Sequence, residues 1–160
     1  MSKALDSVER IESDEHWMRQ AMLLAEQGEI DGEVPVGALL VRDGVVIGEG
    51  WNAPISLHDP SAHAEIRALR SAAAAEKNYR ISNATLFVTL EPCAMCAGAI
   101  IQARIDRVVF GAREPKGGAV ESQFQLLQHS SLNHHCEIRS GVLEDECGEM
   151  LRNFFRRRRA

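Results

Sequence analysis

The chain has 160 residues, 45% of them hydrophobic and 26% charged, with a formal net charge of −5 at pH 7. That length suits one domain with a full core, and the composition is that of a water-soluble globular protein. It contains no run of 18 apolar residues, which excludes an obvious membrane-spanning helix, and its polar, acidic first fifteen residues do not resemble a secretory signal.

In chain order, Met1 to Ser13 is expected to be a disordered lead-in, with a single domain over residues 14–160. Asp14 can cap a helix whose apolar residues Trp17, Ala21, Leu24 and Ala25 recur at helical spacing and which ends at Gly28. Val34 to Val41 and Val45 to Trp51 flank Asp43-Gly44, the favoured two-residue turn of an antiparallel hairpin. Asp59-Pro60-Ser61 signals a helix start, and the alanine-rich stretch from Ala62 to Ala75 is the helix it opens. Thr85 to Leu90 reads as a strand, Cys93 to Arg104 as a helix and Arg107 to Gly111 as a strand. Glu121 to His129 is expected to be helical, Cys136 to Ser140 a strand and Glu144 to Arg158 a closing helix.

After the hairpin the order strand, helix, strand, helix, strand argues for right-handed parallel crossovers on one sheet. The strands ending at Asn52 and Glu91 then point the same way, and the helices that follow them begin at the same sheet edge. Ligands of open α/β sheets bind at that carboxyl edge.

Two short motifs meet there. His63-Ala64-Glu65 opens one helix and Pro92-Cys93-Ala94-Met95-Cys96 opens the next. His63, Cys93 and Cys96 are three N/S donors of the kind zinc favours, and a catalytic zinc site keeps its fourth position open for water. Glu65 beside them suits proton transfer to and from that water. The pattern His-x-Glu with Pro-Cys-x-x-Cys is the general signature of zinc nucleobase deaminases. Either half alone means little: a Cys-x-x-Cys also suits a redox pair, and a closed structural zinc needs four ligands where only three cluster. Four cysteines used this way favour a reducing compartment, so a cytoplasmic location is expected. Cys136 and Cys147, in an expected strand and helix, read as buried thiols.

Two further features concern partners. Residues 152–160 carry five arginines and no acid, a local basic patch on an acidic chain. Cys93 to Ile101 is apolar around the whole helix, so a second subunit or another helix of the same chain must cover its outer side.

Beyond the zinc motif the chain resembles the bacterial tRNA-specific adenosine deaminases. The matching blocks include Val34-Pro35-Val36-Gly37-Ala38, Gly48-Glu49-Gly50-Trp51-Asn52, His58-Asp59-Pro60, the two zinc motifs with Leu90-Glu91 and Ala97-Gly98-Ala99, Arg104, Arg107 to Ala112, and Phe154-Phe155. They run in order from Trp17 to Arg156. The resemblance implies a cytidine deaminase-like fold, a three-layer α/β/α sandwich with a mixed five-stranded sheet. It implies hydrolytic conversion of the wobble adenosine in the anticodon loop to inosine, one Zn²⁺ per subunit, and a homodimer that binds the tRNA anticodon stem-loop. It implies that Asn52 hydrogen-bonds the flipped nucleotide, Glu114 a ribose hydroxyl and Lys116 a phosphate; Glu114 stands where the family usually has aspartate. Phe154, Phe155 and Arg156 are the expected stacking and phosphate contacts of the tail. A straight closing helix would carry them away from the active edge, so it is expected to bend or to serve the partner's site. The competing readings are a deaminase of a free base or nucleoside and a zinc-stabilised RNA-binding module without catalysis.

Overall fold

The computed structural model describes residues 3–159. A five-stranded mixed sheet forms its centre, in spatial order β2-β1-β3-β4-β5. Helix α1 spans Lys3–Ile30, and β1 (Gly37–Arg42) and β2 (Val45–Trp51) form the expected hairpin. Asp43 and Gly44 between them both have positive φ, 51° and 73°, as a turn matched to the strand twist requires. Then follow α2 (Ala64–Glu76), β3 (Thr85–Leu90), α3 (Ala94–Ala103), β4 (Arg107–Ala112), β5 (Glu137–Arg139) and α4 (Glu144–Arg159). β1 is antiparallel to both β2 and β3, while β3, β4 and β5 are parallel. β2, β3, β4 and β5 therefore all end at one edge.

The strand sequences alternate between two apolar faces, as the two-residue period of a strand demands. Leu40, Leu86, Val88, Val108 and Phe110 bury one face against Ala68 and Ala72 of α2 and Ala97 and Ile100 of α3. Leu39, Val41, Phe87 and Val109 bury the other against Met18 and Ala21 of α1 and Cys147 of α4. This is the expected α/β/α sandwich. The α2 layer sits close because β2 presents glycines to it: a Cβ on Gly48 would lie 2.5 Å from the Ala68 carbonyl oxygen.

Four expectations are corrected. Helix α1 starts at Lys3, so the lead-in expected to be disordered through Ser13 is helical from its third residue; Met1 and Ser2 lie outside the described residues. Asp14 is mid-helix and caps nothing. Its carboxylate is buried and receives hydrogen bonds from Arg107 at 2.7 and 2.6 Å and from Arg139 at 2.7 Å, tying α1 to β4 and β5. β1 begins at Gly37 rather than Val34, because the Val36 carbonyl accepts the N–H of Asn52 outside the ladder and the Val36 N–H turns back to the Val34 carbonyl. Residues 121–129 are turns with one 3₁₀ turn at Leu126–Gln128, not a helix. The N–H groups of Gln123 and Phe124 go back to the Gly118 carbonyl and that of Leu126 to the Ala119 carbonyl at 3.1 Å, outside a helical ladder, while those of Val120, Glu121 and Ser122 are given to the Glu91 carboxylate.

The closing helix does not run back along the strands. Leu143 takes a positive φ of 54°, and α4 then crosses β4 and β3 near their carboxyl ends. A Cβ on Gly111 would meet the Cys147 sulfur at 2.5 Å, so glycine permits that close approach. At its far end Arg157 pairs with Glu29, and Arg158 donates to the Gly32 carbonyl at 2.9 Å, at and just beyond the end of α1. No helix among the described residues is long and apolar enough to cross a membrane.

Candidate active site

Helices α2 and α3 point their N-termini at the same place. His63 is the N-cap of α2 and Cys93 the N-cap of α3, both in extended conformation, and neither uses its side chain to cap its own helix. Those side chains turn toward each other. His63 Nδ1 lies 3.5 Å from the sulfurs of both Cys93 and Cys96, and the three donor atoms fall within 4.8 Å of one another. Among the described residues this is the group that could hold a metal ion, and Glu65 is not a member of it.

The electrostatics follow from the crowding. A hydrogen bond from Cys96, then one with His63, hold the Cys93 thiol down at about 3 against the effect of burial. The bond to Cys93, burial and the nearby Glu65 push Cys96 up. His63 is raised, first by its bond to Cys93 and then by the charge of Glu65. Glu65, in the first turn of α2 and only 4% exposed, is raised by desolvation, with His63 opposing the shift. A carboxyl shifted upward in a pocket is suited to taking and returning a proton.

His63, Glu65 and Cys93 line a cavity of about 470 Å³ at the carboxyl edge, together with Asn52, Glu114 and Lys116. Six of the residues expected at the site, His63, Glu65, Cys93, Asn52, Glu114 and Lys116, thus face one space, and Cys96 lies directly behind it. Glu114 Oε1 accepts the Lys116 N–H at 3.0 Å, so this carboxylate also shapes its own turn. The tail residues stand apart from this cavity. Phe154 is 6% exposed, packs edge-on against Phe155 with centroids 5.3 Å apart and lies under the Arg158 guanidinium, which corrects its expected role as an open stacking face. Phe155 is 42% exposed and lines a separate surface hollow with Arg156.

Three residues that brace the loops and strand end around the cavity were missed in the sequence. Glu33, 1% exposed, accepts the Ser56 N–H and hydroxyl, both at 2.7 Å, and the Ile55 N–H at 3.3 Å. Burial alone would raise its carboxyl, but these bonds and the charge of Arg158 bring it below the ordinary value. Glu91 clasps the loop after β4 in the same manner, and it too is lowered although burial opposes the shift. Arg67 donates to the Trp51 carbonyl at 2.8 Å and lies over the Trp51 ring, bracing the strand end that presents Asn52. An acid closing an apolar strand, as in Leu90-Glu91, was the one available signal.

The MafB19-like deaminase family matches residues 12–159. A tRNA-specific adenosine deaminase from Haemophilus influenzae is 54% identical over 151 residues, covering 94% of this chain and 87% of that protein. The chain belongs to the tRNA-specific adenosine deaminase family. A relative of the same description from Bacillus subtilis is 47% identical, covering 89% of each chain. Among solved structures, one from studies of A-to-I editing by tRNA:A34 deaminases at the wobble position superposes with a TM-score of 0.82. It is 45% identical, with 85% of this chain and 99% of that chain covered. A guanine deaminase from Nitrosomonas europaea shares the fold more distantly, with a TM-score of 0.73 and 25% identity over 88% of this chain and 83% of that chain.

Proposed function

We propose that this protein is a zinc-dependent hydrolase that converts the wobble adenosine of a tRNA anticodon loop to inosine. The observation that carries the reading is the convergence of His63, Cys93 and Cys96 beside a buried Glu65 in one open cavity. The donor set fits zinc. Tetrahedral bonds of about 2.1 Å to nitrogen and 2.3 Å to sulfur set N and S about 3.6 Å apart, against 3.5 Å here for both His–Cys pairs. When bound, zinc supplies the Lewis acidity that lets water act as a nucleophile near neutral pH.

Glu65 takes the proton of the attacking water as oxygen bonds to C6, the ring carbon that bears the amino group. The carboxyl then delivers that proton to N1. It next carries the remaining hydroxyl proton to the amino nitrogen, and ammonia leaves as C6 becomes a carbonyl. One carboxylate serves each transfer because every proton it accepts it gives up. Desolvation favours this use, since it keeps the protonated form within reach.

In this reading Asn52, which follows β2 and lines the cavity, hydrogen-bonds the flipped base. On the same reading Lys116 and Glu114, which line the same cavity, meet phosphate and ribose. Phe155 and Arg156 offer a stacking face and a charge further out; Phe154 supports them from the core. In this reading the enzyme works in the cytoplasm as a homodimer with one zinc per subunit. Supporting the dimer, α3 leaves Met95 39% exposed, and an apolar groove between α2 and α3 is lined by Ile66, Leu69, Tyr79 and Ala99.

Incubating the zinc-loaded protein with total tRNA, and separately with free nucleosides and bases, tests the assignment. Inosine is expected at the wobble position alone. Turnover of guanine or a free nucleoside with tRNA untouched would move the protein to the other deaminase class, and tRNA binding without any turnover would leave a binding module.

A further inference from the structure

The loop that carries Glu114 and Lys116 has no helix or strand of its own to fix it. From Arg113 to Gln125 it is turns and bends, and Glu114, Lys116 and Gly117 within it line the cavity together with His63, Glu65 and Cys93. Beside the Gly118–Cys93 bridge and the Ala119 N–H given to the Pro92 carbonyl at 2.8 Å, its anchor is one side chain. Glu91 is 2% exposed and takes hydrogen bonds from the backbone N–H groups of Glu114 at 3.1 Å, Val120 at 3.2 Å, Glu121 at 2.8 Å and Ser122 at 2.9 Å, and from the Ser122 hydroxyl. Every one of these donors belongs to the loop, and no arginine or lysine is among them. The loop also comes down directly on the carboxylate. Gly118 bridges Cys93, and a Cβ at Gly118 would lie 2.4 Å from the carboxyl carbon of Glu91, so only glycine fits there.

Five donors meet a group with about four lone-pair positions, so Glu91 has no acceptor capacity left for substrate although it borders the cavity. It stands two residues before Cys93, the N-cap of α3. One side chain thus joins the segment that delivers the sulfur ligands to the segment that delivers the Glu114–Lys116 wall.

We infer that Glu91 is a positioning residue: it sets the separation between the cluster at the helix tips and the Glu114–Lys116 wall, and so governs the grip on substrate while leaving the ligands in place. The inference rests on the reading above that Lys116 contacts the RNA. A buried carboxylate fed by four backbone donors and one hydroxyl is a stiff anchor, because charge-assisted bonds are the stronger kind and breaking one leaves desolvated groups without a partner. Replacement by glutamine turns one acceptor into a donor that faces N–H groups, which releases one half of the clasp while conserving shape.

The test uses the zinc-loaded enzyme and an anticodon stem-loop RNA, with E91Q, S122A, K116A and the E91Q/K116A double variant. In E91Q, amide exchange is expected to quicken at residues 114 and 120–122 while zinc content stays at one per chain. KM rises about tenfold and kcat stays within about threefold, the pattern of lost uniform binding. S122A, which removes one hydroxyl donor and leaves the carboxylate, shifts KM the same way by about two- to threefold and keeps the inference testable if E91Q does not fold. The KM penalty of K116A shrinks in the E91Q background, because a released loop no longer presents the lysine. Loss of zinc, a fall in kcat at unchanged KM, or strict additivity of E91Q and K116A would overturn the assignment. If K116A alone leaves KM unchanged, the phosphate contact of Lys116 is wrong, and the exchange and KM results for E91Q decide the positioning role by themselves.

Discussion

The two sides of the cavity are built on different plans. One side is the paired helix tips, where His63, Glu65, Cys93 and Cys96 sit on two short segments and each helix supplies its own geometry. The other is a rim of loops: residues 113–122, which line the cavity, and residues 53–62, which run between the cavity residues Asn52 and His63, both held by buried carboxylates that come from elsewhere in the chain. Chemistry is placed by regular structure that any helix of this register would provide. Recognition is placed by long-range hydrogen bonds that substitution can retune one at a time.

The largest effect that would break this division is loss of the metal. Chelation is expected to abolish turnover and lower the thermal midpoint, and zinc restores both. Protons compete for the same donors, and because His63 and Cys96 hold theirs more firmly than usual, apparent zinc affinity should weaken as pH falls. An affinity that is flat from pH 8 to pH 5 would contradict the ligand assignment. Next comes E65Q, expected to reduce kcat about 10²- to 10⁴-fold with zinc content and circular dichroism unchanged. Substantial turnover in the metal-loaded variant would end the proton-shuttle role.

The adjacent phenylalanines sharpen the contrast between support and contact. F154A should cost roughly 3–5 kcal/mol of stability by denaturant titration, as expected for a core aromatic. F155A should leave stability nearly unchanged while weakening stem-loop binding by about 1–3 kcal/mol, the worth of one stacked base. Equal effects of the two variants on binding would place both rings at the interface.

The rim carries its own pH signature. Glu33 sits below its ordinary value of 4.5 in the folded protein, so the unfolded chain binds more protons between the two values. Its contribution is complete above about pH 5 and drains away as pH falls through the folded value. E33Q should therefore show a shallower loss of stability on the acid limb, measured by thermal melts below pH 5, with zinc content unaffected. The smallest effect belongs to Lys116: K116A should reduce the slope of log affinity against log salt by about 0.7–1, the share of one phosphate.

The same division explains what could be read in advance. The helix tips were legible because their four functional residues fall in two contiguous motifs and the alternation of helix and strand fixes where those motifs meet. The hairpin was legible because Asp43-Gly44 admits few other conformations. The rim was not. Residues 121–129 look helical by composition, but Glu91, about thirty positions away in the chain, takes the N–H groups of Glu121 and Ser122, and those of Gln123, Phe124 and Leu126 fold back to Gly118 and Ala119, which no local pattern records. Asp14 has every local mark of a helix cap, yet two arginines from β4 and β5 recruit it into the core. The path of α4 depended likewise on where Glu29 and Gly32 stand.

The excursion between Asn52 and His63 begins and ends at a single pinned stem, where the Ala53 N–H donates to the Ala62 carbonyl at 2.9 Å. Because the stem is closed, the intervening residues form an exchangeable cassette whose length and side chains can change without disturbing the imidazole that follows. A fold that edits a base buried in a large RNA can thus be rebuilt for a free purine by replacing the rim, with its hydrolytic centre inherited intact.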